Sequence, residues 1–148
     1  MKRKLLMRIC LCVAVLLFSI DAFAAVAIPS LPTPDIKANG QDGPITVTDA
    51  TTVSITAGLD PGNENGKFAD WWLAASTPWG WYSLDLNGWT PGINLLAQYP
   101  LVSFSPMQIF YSTLLVGDYS FYFLVDISPN GNIDSPFYYD FVQVHVAD

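Results

Sequence analysis

The clearest chemical pattern in the chain is the nine-residue run DISPNGNID, Asp126 to Asp134. Asp126, Ser128, Asn130 and Asp134 place oxygen side chains at positions 1, 3, 5 and 9, with Gly131 at 6 and Ile133 at 8. That is the first three-quarters of an EF-hand-type calcium loop. Calcium takes about six to eight oxygens, and a turning loop brings alternate side chains inward while Asn132 offers its carbonyl. At position 12, where a bidentate acid belongs, stands Phe137. The same residues also suit a polar hairpin turn, with Pro129, Asn130 and Gly131 present for backbone geometry alone. Both readings stay open on the sequence. A bound ion would be held weakly, on the order of 10⁻⁴–10⁻³ M. Calcium is the only cofactor suggested, and nothing in the chain requires one. A second acidic loop, Asp60 to Gly66, has less regular oxygen spacing.

Aromatic residues form the next constellation. Trp79, Trp81, Tyr82 and Trp89 fall within the turn-rich stretch from Thr77 to Gly92. Exposed on a sheet face or loop, such rings can stack on the apolar face of a pyranose, which makes these four residues a candidate glycan site. The competing role is core filling, because large aromatics dominate protein interiors. Of the five tryptophans in the chain, at least two are expected inside.

Catalytic patterns are lacking, and the chain reads as a non-enzyme. There is no Gly-x-Ser-x-Gly, and the single histidine, His145, lies three residues from the end. A zinc hydrolase would lack its usual ligands. Twelve acids follow residue 24, but most stand in turn contexts such as Asp42-Gly43 and Asp60-Pro61, and none pairs recognisably with another for glycoside hydrolysis.

The elements that must position these residues begin after an export signal. Residues 1–24 hold four of the six basic groups, an uncharged run from Ile9 to Ile20 and the A-x-A site Ala22-Phe23-Ala24. This is the pattern of a removed signal peptide, too short in its apolar run to remain as a membrane anchor. It directs the protein to the periplasm or the exterior. Both cysteines, Cys10 and Cys12, leave with it, so the mature chain has neither disulfide nor thiolate ligand. What remains carries Lys37 and Lys67 against twelve acids, a net charge of −10, which excludes a nucleic-acid binder.

Residues 25–34 (AVAIPSLPTP) read as an extended proline-rich leader, and 35–148 as one domain. Within it, Val53, Ile55, Ala57 and Leu59 alternate with Thr52, Ser54, Thr56 and Gly58, the period of a half-buried strand. The pattern predicts further strands at Ile45–Asp49, Ala69–Thr77, Gly80–Leu86, Leu101–Tyr111 (broken at Pro106), Tyr119–Ile127 and Phe137–Ala147. Asn39-Gly40 and Asp42-Gly43 read as hairpin turns. No stretch shows a helical stripe.

The segment Leu115-Val116-Gly117-Asp118-Tyr119-Ser120-Phe121 resembles the tyrosine corner of immunoglobulin-like domains, where a tyrosine opening strand F bonds the backbone upstream. Trp71 or Trp72 would then resemble the core tryptophan of strand C. With NGQDGPITV, VSITAGLDPG, ADWWLAASTPWGWY and FYYDFVQVHV, the chain is similar to small exported bacterial domains of immunoglobulin or PKD type. The resemblance implies an all-β, immunoglobulin-like antiparallel sandwich of about seven strands. It also implies a non-catalytic module with a structural or protein-interaction role in the cell envelope or outside the cell. Glycan binding is the alternative, and no stable membrane insertion is expected once the signal is removed.

Overall fold

Alternating apolar residues and turn-forming dipeptides produce ten strands in the computed structural model, which describes residues 29–148. The expected signal peptide (residues 1–24) and the start of the expected leader lie outside the described residues. The strands are β1 (Thr33–Ala38), β2 (Ile45–Thr48), β3 (Thr52–Asp60), β4 (Phe68–Thr77), β5 (Gly80–Asp85), β6 (Gly88–Pro91), β7 (Ala97–Pro100), β8 (Phe104–Thr113), β9 (Gly117–Asp126) and β10 (Phe137–Ala147). Seven span six residues or more, and β2, β6 and β7 have four each. Among the described residues the only helical element is a 3₁₀ turn, Gly62–Glu64.

The strands form two sheets packed as a sandwich, the fold class expected. The smaller has the order β1–β3–β8, and the larger β2–β10–β9–β4–β5–β6, with β7 pairing β4 beyond the end of β5. All pairings are antiparallel except β2 with β10.

Ile36, Val53 and Ile55 of the small sheet meet Leu73, Phe121, Phe123, Val125, Val142 and Val144 of the large one, all buried. Each such side chain contributes about 1.5–3 kcal/mol by leaving water. Trp71 is the tryptophan that turns inward: it packs on Phe104 and Phe123 at 6.0 and 5.9 Å, and its Nε1 donates to the Tyr99 carbonyl at 3.0 Å. Trp72 takes the opposite face. The Tyr119 hydroxyl donates to the Leu115 carbonyl at 2.8 Å, the bond anticipated for a corner tyrosine. Asn39 and Gly40 both have positive φ, and Ala38 and Gln41 exchange two backbone bonds across them, so this pair makes the expected two-residue turn.

Two elements differ from expectation. The break at Pro106 is a bulge rather than a strand end. β8 continues through it, and the register against β3 slips between Ala57 and Leu59, where Gly58 lies against the Pro106 backbone. Because β8 is an edge strand, a missing N–H is tolerated there. Secondly, strand β1 starts inside the leader, with Pro32 and Pro34 buried. The Asp140 carboxylate of β10 accepts the Ile36 N–H at 2.9 Å, closing the side of the sandwich on which β1 faces β10. The other side, between β8 and β5–β6, is bridged by Trp89 and leaves a cleft.

Candidate functional site

Strand register sets the outer face of the large sheet. Across β4, β9 and β10, Ala74, Tyr122 and Phe141 form one row; Trp72, Leu124 and Tyr139 the next; Asp70, Asp126 and Phe137 the third. On the other side of the first row lie Trp81, Ser76, Ser120 and Gln143. Only Ala74 and Ser76 stand on β4 beside Trp81, so its ring reaches Tyr122, with centroids 5.5 Å apart. Tyr122 in turn stacks on Phe141 at 5.8 Å and 20°. Trp81, Phe137, Tyr139 and Phe141 are 41–54% exposed. The result is a continuous aromatic surface in which only Trp72 is sunk.

The four aromatics singled out from the sequence do not form one platform. Trp79, Tyr82 and Trp89 line a cleft of about 320 Å³ at the β8 side of the sandwich, with Phe110, Tyr119 and Phe121, while Trp81 lies on the opposite face of the sheet. Trp89 is wedged edge-on against Phe110 and Phe121, and its Nε1 donates to the Ile109 carbonyl at 3.4 Å, tying β6 to β8. Trp79 stands at the mouth, 60% exposed, with Tyr119 6.2 Å away. Burial raises the Tyr119 phenol above its ordinary value. The only hydroxyls besides those of Tyr82 and Tyr119 belong to Thr77, Ser112 and Thr113, so the cleft has few groups to bond a sugar.

The Asp126–Asp134 segment folds back over the third row of the outer face. It is anchored by two carboxylates that the sheet places side by side, Asp70 and Asp126, both fully buried. Asp70 Oδ2 accepts the N–H groups of Asn130 and Gly131 at 2.9 and 2.6 Å. Asp126 accepts from Ser128 at 2.7 Å through Oδ1 and from Asp134 through Oδ2. The Asn130 side chain donates to Asp134 and accepts the Asn132 N–H. The oxygens legible in the sequence are therefore largely occupied by the loop's own N–H groups, and among the described residues no three acidic, histidine or cysteine side chains converge on one point. Asp70 was not evident in the sequence. Its signal is a charged residue inside the otherwise apolar run ADWWLAA. Two carboxylates on directly paired positions repel when both are charged, and the four N–H dipoles offset that repulsion in part.

The basic side chains among the described residues all stand beside acids. Lys37 binds Asp42 and Asp35 at 2.6 and 3.2 Å, and Lys67 pairs with Glu64 in the second acidic loop. His145 and Asp118 lie 2.7 Å apart at exposed ends of β10 and β9. Comparison with protein-family models, curated proteins and solved structures found no match.

Proposed function

We propose that this chain is a non-catalytic module of the cell envelope or extracellular space that docks on a partner protein through the aromatic outer face of its large sheet. The observation that carries the reading is the contiguous surface of Trp81, Tyr122, Phe141, Tyr139 and Phe137. Soluble monomers rarely leave such patches uncovered, and aromatic residues are enriched in interface cores. On β10 three aromatics recur at every second position and face out, whereas Val142, Val144 and Val146 of the same strand face in. Core packing therefore does not account for Phe137, Tyr139 and Phe141. With Lys37 and Lys67 bound to acids, the domain would suit a flat apolar surface with a basic rim.

A second reading rests on the row beside Trp81. Ser76, Ser120 and Gln143 offer hydrogen-bonding groups next to a Trp–Tyr pair, the combination that a stacked sugar needs. The cleft of Trp79, Tyr82 and Trp89 supports it less, being poor in polar groups. One experiment separates the two. Immobilised mature protein is offered envelope and secreted proteins of the parent cell, and separately a panel of insoluble polysaccharides. A partner protein retained by wild type and by Trp79→Ala, but lost with Phe141→Ser, supports protein docking. Retention on a polysaccharide, lost with Trp81→Ala, supports glycan binding. Retention of neither would refute both.

A further inference from the structure

We infer that Asp70 and Asp126, roofed by the Ser128–Asp134 loop, form a calcium site. The inference is independent of the docking reading. Fully buried carboxylates are rare unless paired with a cation, because burial penalises the charge. Lys37 and Lys67 stand with Asp35, Asp42 and Glu64 instead, so neither serves this pair.

The decisive atom is Asp70 Oδ1. It is buried and has no hydrogen-bond partner, although the other oxygen of the same carboxylate accepts two N–H groups. An unpartnered buried acceptor beside a second buried carboxylate is a place for a cation. The loop lacks an acid at its twelfth position, Phe137. Asp70, paired with the first position Asp126 across the sheet, supplies from a neighbouring strand the carboxylate that the loop lacks at that twelfth position. Ser128, Asn130 and Asp134 bring further oxygens in the covering segment. Hard oxygen donors on an irregular frame suit calcium, whereas magnesium requires a near-octahedral set. With so few carboxylates, affinity falls in the weak extracellular range, on the order of 10⁻⁴–10⁻³ M.

The test is thermal unfolding of the mature protein, stripped with EDTA and titrated with calcium. At ten times Kd the midpoint should rise by roughly 5 °C, with a much smaller rise for magnesium and none for Asp70→Asn. Terbium emission excited through tryptophan gives a second readout, since Trp72 lies two residues from Asp70 on the same face. Calcium should displace that signal. No rise in wild type at about 10 mM calcium, well above the expected Kd, would overturn the site, as would a rise that survives in folded Asp70→Asn. If Asp70→Asn does not fold, the wild-type terbium and calcium titrations decide alone, and absent terbium emission refutes the site.

Discussion

Replacing Tyr119 with phenylalanine removes a single oxygen and tests whether the corner holds the start of β9. The hydroxyl donates to the Leu115 carbonyl at 2.8 Å from a residue only 4% exposed. A neutral hydrogen bond of this kind contributes about 1 kcal/mol net. Stranding a buried acceptor would raise the loss towards 3 kcal/mol. Leu115 is 68% exposed, however, so water can replace the lost donor at its carbonyl, and the cost should stay near 1 kcal/mol. In urea, with a slope of about 2 kcal/mol/M, the midpoint should fall by roughly 0.5 M with the slope unchanged. Tryptophan fluorescence reads this directly.

The same variant carries a pH signature. Burial raises the Tyr119 phenol above its ordinary value near 10, so the folded state favours the neutral form. That contribution is complete below the unfolded value and is lost as pH rises through the folded one. Between the two values wild type therefore loses up to about 1.4 kcal/mol per pH unit that Tyr119→Phe cannot lose. The stability gap between them should narrow above pH 10. An unchanged midpoint at neutral pH, or a gap that widens in alkali, would refute the assignment.

Four further substitutions have defined outcomes. Gly62→Ala should cost at least about 2 kcal/mol in the same assay, because Gly62 has φ of +54° and its added methyl would meet the Ser30 carbonyl oxygen at 2.3 Å. The adjacent tryptophans should separate. Trp71→Phe loses the bond to Tyr99 and core volume, about 2–3 kcal/mol. Trp72→Phe should stay within about 1 kcal/mol, since the Trp72 Nε1 is buried without a partner and its removal offsets the lost area. Trp81→Ala should leave the stability measured in urea within about 0.5 kcal/mol of wild type, as exposed substitutions do. It should weaken retention of whichever partner the outer face binds, and full retention would move the site elsewhere.

The strands were legible where one face is buried and the other wet. β3 alternates cleanly, and β10 was read to its ends. β4 was legible as a strand but not in orientation, because Ala69 to Ala75 are buried on both faces. Periodicity cannot choose between Trp71 and Trp72 when both are covered. β1 was hidden by its prolines, which mark an extended chain equally well in a leader and in an edge strand. The grouping of Trp79, Trp81, Tyr82 and Trp89 illustrates a different limit. They are near in sequence, but alternation along β5 sends Trp81 and Tyr82 to opposite faces, and Trp89 enters the sandwich from β6.

The acidic loop shows what a linear motif omits. Spacing from Asp126 to Asp134 described side chains along one segment and left position 12 unfilled by Phe137. The sheet adds a dimension, setting Asp70, distant in sequence, directly beside Asp126. Its carboxylate receives the N–H groups of the fifth and sixth loop positions, Asn130 and Gly131, so it organises the loop from below while one of its oxygens stays free. Phe137, released from ligand duty, faces out and continues the aromatic surface through Tyr139, 6.0 Å away. One strand pairing thus supplies the carboxylate that the motif lacks and leaves Phe137 free for the exposed face. The proposed cation site and the proposed docking surface meet along the row Asp70–Asp126–Phe137. Loosening the loop through Asp70 should therefore disturb the Phe137 end of that surface before it reaches Trp81.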